Sequence, residues 1–326
     1  MTILFQKHQR ETSPDSLIRQ FGSFSNAWSL HQENLVRYSS YGGFLAYRKY
    51  QNNKFVLGDP ICKDSNLKQL LEDFDRTSVN SCFVQISEKP AKILAEIGYD
   101  INYFGSESIL HLPYSRQGKV KREVRNLFNA ATQKNIQVRE LTSEEIFKTQ
   151  RIFTKDCEYS FLIRPLHLKD QSACRVFGAF QDNQIMSYSI YDPIYLNKKI
   201  VGYAESINRR TVNAVKGARV YTLLKAGDIF LNEGIKFINL GLLPFYPTEY
   251  QKSDKFVSNS ITKILFKILY NSSPFFHNFK GLSFHKSRYN GILLPKYFAS
   301  KKKIPIVQLL QIYKLTTGSY FPRLTD

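Results

Sequence analysis

The sequence predicts an α/β (α+β) fold in two parts, each with a mixed central sheet flanked by helices. Three observations carry that expectation. Short segments alternating in polarity are interleaved with segments whose apolar residues recur at helical spacing. The apolar fraction is 43%, with 25 Phe and 20 Tyr, enough for real cores. The length of 326 residues suits two domains, expected at 1–140 and 141–326.

In the first part, "GGFLAYRKY" (42–50) and "KFVLGDP" (54–60) read as half-buried strands, with Phe44 and Ala46, then Phe55 and Leu57, alternating with their neighbours. Gly58-Asp59-Pro60 reads as a turn, with Asp59 as a turn or N-cap residue. Leu67, Leu70, Leu71 and Phe74 give a helix over 66–74. "SCFVQIS" (81–87), "KPAKILAEIG" (89–98) and "SESILHL" (106–112) continue as strand, helix and strand. A basic helix follows at 118–135, with Val120, Val124, Leu127 and Phe128 as its apolar stripe and Lys121, Arg122 and Arg125 elsewhere on its surface. A strand and a second helix are expected over 137–157, where Thr142 before Glu145 makes a capping box.

The second part opens with a hairpin over 175–193, turning at Asp182-Asn183. A third strand covers 198–210, and an amphipathic helix covers 216–234, with Gly234 as its C-terminal stop. A buried strand, "IKFINLGLLPF" (235–245), leaves that helix. Antiparallel strands, a helix and then a parallel strand make the core order of the GNAT N-acyltransferase fold.

The net charge is +19, from 46 Lys and Arg against 27 Asp and Glu. From residue 251 onward 13 Lys and Arg face only Asp254 and Asp326. Solubility by lysine decoration is one reading; a polyanionic partner, nucleic acid or phospholipid headgroups, is the sharper one. Cys62, Cys82, Cys157 and Cys174 stand singly, which excludes a zinc ribbon or a disulfide framework and fits a reducing compartment. No window approaches a membrane-spanning helix, and the N-terminus lacks the long apolar segment of a signal peptide. The expected location is the cytoplasm, or the inner membrane face as a peripheral protein. Two basic, apolar-rich segments, 260–276 and 301–314, could lie in a membrane interface or pack on the core.

A coenzyme A-dependent GNAT enzyme holds pyrophosphate on a Gly-rich turn at the start of its central helix. At that junction this chain has "RRTVNAVKGAR" (209–219), where only Gly217-Ala218 fits and a bulkier residue takes the first Gly position. The coenzyme cradle is degraded while the element order persists.

"VLGDPIC" (56–62), "CFVQIS" (82–87) and the run 97–131, then "FINLGLLPF" (237–245) and "FFHNFKGLSFHKSRYNGILLPKYFA" (275–299), resemble the catalytic domain of phosphatidylglycerol lysyltransferases. The resemblance spans about 40–300 in consistent order and implies two tandem GNAT-like domains. It also implies transfer of an aminoacyl group from aminoacyl-tRNA to a hydroxyl, most often that of phosphatidylglycerol. No cofactor is expected, because the aminoacyl ester is already activated. Partners would be aminoacyl-tRNA and an anionic phospholipid or membrane surface. The family usually carries a transmembrane flippase domain ahead of this one; without it, either synthesis without export or modification of something other than lipid is expected.

Carried onto this sequence, the resemblance makes Lys121, Arg122 and Arg125 phosphate-directed. Glu205 with Arg209 and Arg210 stands where the family has an Asp-x-x-Arg-like pair; Glu replaces Asp and the spacing is one residue longer. Lys280 and Lys286 match the closing motif, where each could hold a phosphate or an oxyanion as a point charge. His285 is the one of six histidines inside the FKGL…K…P-x-Y run (279–297) of that motif, and with Glu205, Arg209 and Lys280 completes the expected catalytic set. Tyr289 and Tyr297 read as packing residues. The alternatives are a GNAT-type N-acyltransferase using acyl-coenzyme A or another thioester, and a non-catalytic nucleic-acid or lipid binder.

Overall fold

The computed structural model describes residues 13–318 apart from 79, 147–148, 150–159, 165–172, 249–255, 272–277 and 303. Cys157, His8, His167, His277 and the later part of the helix expected over 137–157 lie outside the described residues.

Helix α1 (Pro14–Phe21) starts on Ser13, whose hydroxyl accepts from Ser16 N, with Pro at the first helical position where a missing N–H costs nothing. Strands β1 (Val36–Ser40), β2 (Gly43–Tyr50) and β3 (Asn53–Leu57) form an antiparallel meander. Helix α2 (Leu67–Arg76) buries Leu67, Leu70, Leu71 and Phe74, the stripe read from sequence, and crosses to β4 (Ser81–Ile86), parallel to β3. Helix α3 (Glu88–Glu96) leads to the long β5 (Asp100–His111). Asp59 accepts a 2.7 Å hydrogen bond from the backbone of Ser87, so it ties the turn after β3 to the start of α3. The basic helix α4 (Arg122–Thr132) is shorter than expected; Val120 precedes it and is exposed, while Val124 and Phe128 are buried.

The second half repeats the order. Strand β6 (Gln137–Glu140) is followed by the Thr142–Glu145 capping box, formed in both directions. Strands β7 (Arg175–Gln181), β8 (Gln184–Leu196) and β9 (Lys199–Arg210) are antiparallel, with Asp182 and Asn183 both at positive φ in the expected turn. Helix α5 (Ala218–Asn232) crosses to β10 (Phe237–Pro244), parallel to β9. Then come α6 (Ser260–Asn271), α7 (Phe279–Ser287), β11 (Ile292–Ser300) and α8 (Ile306–Thr317).

Two central sheets are expected; among the described residues the strands form one. Its order is β1-β2-β3-β4-β11-β5-β10-β9-β8-β7-β6. At its centre the halves exchange strands: β11, late in the chain, lies between β4 and β5, and β5 in turn pairs with β10. The aromatic run 278–300 therefore feeds several cores: Tyr297 and Ala299 pack with α2 and α3 of the first half, while Tyr289 packs with Tyr191 and Phe230 of the second. Helices α4 and α5 cover one face through Phe128, Tyr221 and Phe230 against Tyr191, Tyr203 and Ile238. A second cluster joins Trp28, Phe104 and Phe245 to Phe266 of α6 and Ile312 of α8. Along β9 and β10, adjacent residues face opposite ways, so these helix sets lie on opposite faces.

Candidate active site

Strands β9 and β10 pair only at Ile238–Tyr203 and Asn239–Ala204, and β10 then bulges before Leu242 with Gly241 at φ +77°. Beyond that bulge the strands part. A cavity of about 590 Å³ opens on the α6 and α8 face and reaches this gap. Its body is apolar, with Phe104, Phe245, Leu265, Leu269, Leu309 and Ile312; its inner end is polar, with Ser25, Gln85, Glu205, Asn208, Arg209 and Lys286.

Lys286 comes from α7 and stands in the gap. Its Nζ donates to Leu242 O at 3.0 Å and would be 3.1 Å from a Cβ at position 241, so Gly241 leaves the room the ammonium fills. Burial holds Lys286 down at about 8, against the opposing pull of Glu205 and Glu107.

Glu205 sits at a bulge of β9. It accepts from Asn208 Nδ2 at 2.6 Å and Ser189 Oγ at 3.1 Å, and burial raises its carboxyl above the ordinary value despite those donors and the nearby Lys286 and Arg219. The expected Asp-x-x-Arg-like pairing is not what holds it: the bulge brings Asn208 to the carboxylate. Arg209 lines the cavity beside it, and Arg210 is exposed at the strand end.

Beneath the gap lies a network the sequence reading did not single out. Glu107 of β5, 2% exposed, accepts from Ser25 Oγ at 2.6 Å, Asn239 Nδ2 at 2.7 Å and Gln85 Nε2 at 3.1 Å, with Lys296 Nζ at 3.5 Å. Burial alone would raise its carboxyl, but Lys296 and these donors hold it below the ordinary value. Asn239 Oδ1 in turn accepts from Gly241 N at 2.7 Å, fixing the bulge. A second buried pair, Arg164–Asp192 at 2.7 Å, flanks the cavity wall, with Ser206 and Cys174 donating to the same carboxylate. The available signal was a carboxylate inside a strand otherwise fit for burial, as in "GSESILHL" and "SIYDPIY".

On the α5 face the gap opens onto cations. Burial, then the like charges of Arg210 and Arg288, push the Arg219 guanidinium below its ordinary value. Arg288 is bound to Glu123 at 3.1 Å, and its Nη2 lies 2.5 Å from His285 Nδ1. Burial, then Arg288, Arg219 and Lys286, hold His285 down at about 2. The ring Nδ1 accepts from Arg288, and its burial among these cations disfavours the protonated form.

The other expected residues lie apart. Lys280 is exposed, its Nζ 5.8 Å from the centre of the Tyr270 ring, and does not line the cavity. Lys121 donates to Ser115 O and sits over Tyr114; Arg125 donates to Arg116 O and Gly118 O; Arg122 is exposed. These cations brace or border the 114–118 loop. Gly217, the remnant of the coenzyme cradle, has a packing reason: at φ +90°, a Cβ there would lie 2.0 Å from Leu127 O of α4. Among the described residues, no group of three or more His, Cys, Asp or Glu could hold a metal ion.

Residues 16–300 match the family described as phosphatidylglycerol lysyltransferase, C-terminal. The chain is similar to the structure of L-PGS from Bacillus licheniformis, at 16% identity and TM-score 0.75, over 94% of this chain and 96% of that one. It is also similar to the C-terminal domain of a putative lysylphosphatidylglycerol synthetase from Agrobacterium fabrum, at 16% identity and TM-score 0.72, over 93% and 95%. FemX matches at 10% identity and TM-score 0.56, over 95% and 98%. No curated protein gives a significant match. At these identities the structural likenesses speak to fold.

Proposed function

The chain belongs to the phosphatidylglycerol lysyltransferase C-terminal family, a family of aminoacyltransferases, and on that premise we propose that it moves an aminoacyl group from aminoacyl-tRNA to a hydroxyl of phosphatidylglycerol. The observation that carries this reading is the gap between β9 and β10. There an apolar cavity from one face meets a cationic surface from the other, with Glu205 and Lys286 at the junction. Acyl chains suit the first surface; the phosphates of an RNA 3′ end suit the second.

Transesterification of an activated ester needs proximity, a proton acceptor and a counter-charge for the tetrahedral oxyanion. Glu205, its carboxyl raised by burial, takes the proton of the attacking hydroxyl. Lys286, protonated below about pH 8, faces the oxyanion as it forms. Arg219, Arg210 and Arg288 hold the donor's phosphates, and His285 orients Arg288. The proton on Glu205 then passes to the departing ribose oxygen, closing the cycle.

The test is discharge of a labelled aminoacyl-tRNA in the presence of phosphatidylglycerol vesicles. Label should enter the lipid fraction, and ribonuclease pretreatment of the donor should abolish it. Lipid labelling that survives ribonuclease, or thermal stabilisation by acetyl-coenzyme A but not by tRNA, would overturn the reading.

A further inference from the structure

The cavity is rimmed by aliphatic side chains that continue onto the outside of the molecule. Ile268 of α6 and Ile306 and Leu310 of α8 line the cavity and are also exposed to solvent. Beyond them the apolar surface extends along both helices. On α6, Ile264 and Ile261 stand one and two turns from Ile268 on the same side, and Ile264 is 58% exposed. On α8, Val307 is 62% exposed beside Ile306, and Ile304 is exposed just before the helix. Such a patch around a cavity entrance marks an interaction surface.

Charge identifies what covers it. Exposed Lys267 lies within the patch, Lys302 at its α8 end and Lys280 on the adjoining α7. Between residues 256 and 325 the sequence has no Asp or Glu. A second copy of this +19 chain would bring the same cations against them.

We infer that the outer faces of α6 and α8 dock on an anionic phospholipid bilayer, with the cavity entrance between them opening into its acyl-chain layer. Ile264, Ile268, Val307 and Leu310 enter the interface while Lys267, Lys280 and Lys302 meet the headgroups. A lipid can then slide its chains from bilayer to cavity without crossing water, which would otherwise weaken uptake about fourfold per methylene exposed. Each lysine near an anionic surface strengthens docking about fivefold. No described helix is long and apolar enough to cross a membrane, so the contact proposed is one of lying on the surface.

This inference rests on the lipid-acceptor reading, yet it is tested with no donor present, so the two fail separately. Co-sedimentation would compare vesicles of phosphatidylcholine containing phosphatidylglycerol with vesicles of phosphatidylcholine alone, using native protein and the Ile264→Asp/Val307→Asp double variant. Neither residue lines the cavity. Native protein should pellet with the anionic vesicles, at least about tenfold more weakly with the neutral ones. The double variant should lose at least about tenfold in binding while keeping its melting temperature. Lys267→Glu/Lys302→Glu, which leaves the aliphatic face intact, should lose the preference for phosphatidylglycerol. Native protein that ignores both vesicles, or a double variant that pellets as the native chain does, would overturn the inference. So would a dimer in sedimentation equilibrium that the double variant dissolves, since the patch would then serve a second copy.

Discussion

Replacing Lys286 by Met removes the ammonium in the gap and keeps a side chain of similar volume. With the charge goes the counter-ion for the oxyanion, a loss of about 10²–10³ in kcat, or about 3–4 kcal/mol of transition-state stabilisation. The titration of the same group gives a second signature. Burial holds Lys286 down at about 8 where an ordinary lysine stands at 10.5, and the protonated form is the active one. Native kcat/KM should therefore fall about tenfold per pH unit above about 8. Lys286→Arg stays charged throughout that range and should lose this alkaline limb, even if its planar fork lowers kcat. Stability moves oppositely. Between about 8 and 10.5 the unfolded chain keeps a proton that the folded chain has released, so native stability rises with pH across that window. Lys286→Met has no group to ionise there and should show no such rise. Single-turnover transfer to phosphatidylglycerol, corrected for spontaneous ester hydrolysis, and urea unfolding across the window measure the two effects. A Met variant within about threefold of native kcat, or an alkaline limb unchanged in the Arg variant, would refute the role.

Glu107→Gln leaves Lys296 buried without its counter-charge and should cost about 3–5 kcal/mol in urea unfolding; adding Lys296→Met should recover part of it. Because the Glu107 carboxyl is held below its ordinary 4.5, its contribution is present at neutral pH and lost as pH falls through the folded value. The variant should show a shallower acid limb. Gly217→Ala combines a left-handed φ with backbone contact at Leu127 O, and a loss of at least about 3 kcal/mol is expected in thermal unfolding; under about 1 kcal/mol would contradict the packing account. Arg219→Ala should weaken tRNA binding and flatten its log–log salt dependence by about one, while Lys280→Ala, exposed over Tyr270, should leave both transfer and that slope near native.

Local chemistry in this chain is legible from its residues. The Leu67–Phe74 stripe, the Asp182-Asn183 turn and the Thr142–Glu145 box each depend on neighbours a few positions away, and each stands where the pattern puts it. The site is less legible because it is assembled across the sheet. Glu107, Asn239 and Lys296 are on three strands, brought together by pairings between residues more than a hundred positions apart. The β9 bulge gives Glu205 to Asn208, a register event that spacing cannot show. Lys280 and Lys286 look alike in sequence. About one and two-thirds turns of helix separate them, and that rotation turns Lys286 into the gap and Lys280 out to solvent.

The exchange of β5 and β11 at the centre of the sheet also sets a timetable for biogenesis. On a ribosome, the first half can gather α2, α3 and their strands early, but the place between β4 and β5 stays empty until residues 292–300 have emerged. Two unsatisfied strand edges would stand open for most of synthesis, the condition under which nascent chains mispair or recruit chaperones. The same pairing joins distant stretches of chain, which favours slow folding. A stop codon ahead of Ile292 would thus remove only the last part of the sequence and yet leave both halves without their shared middle.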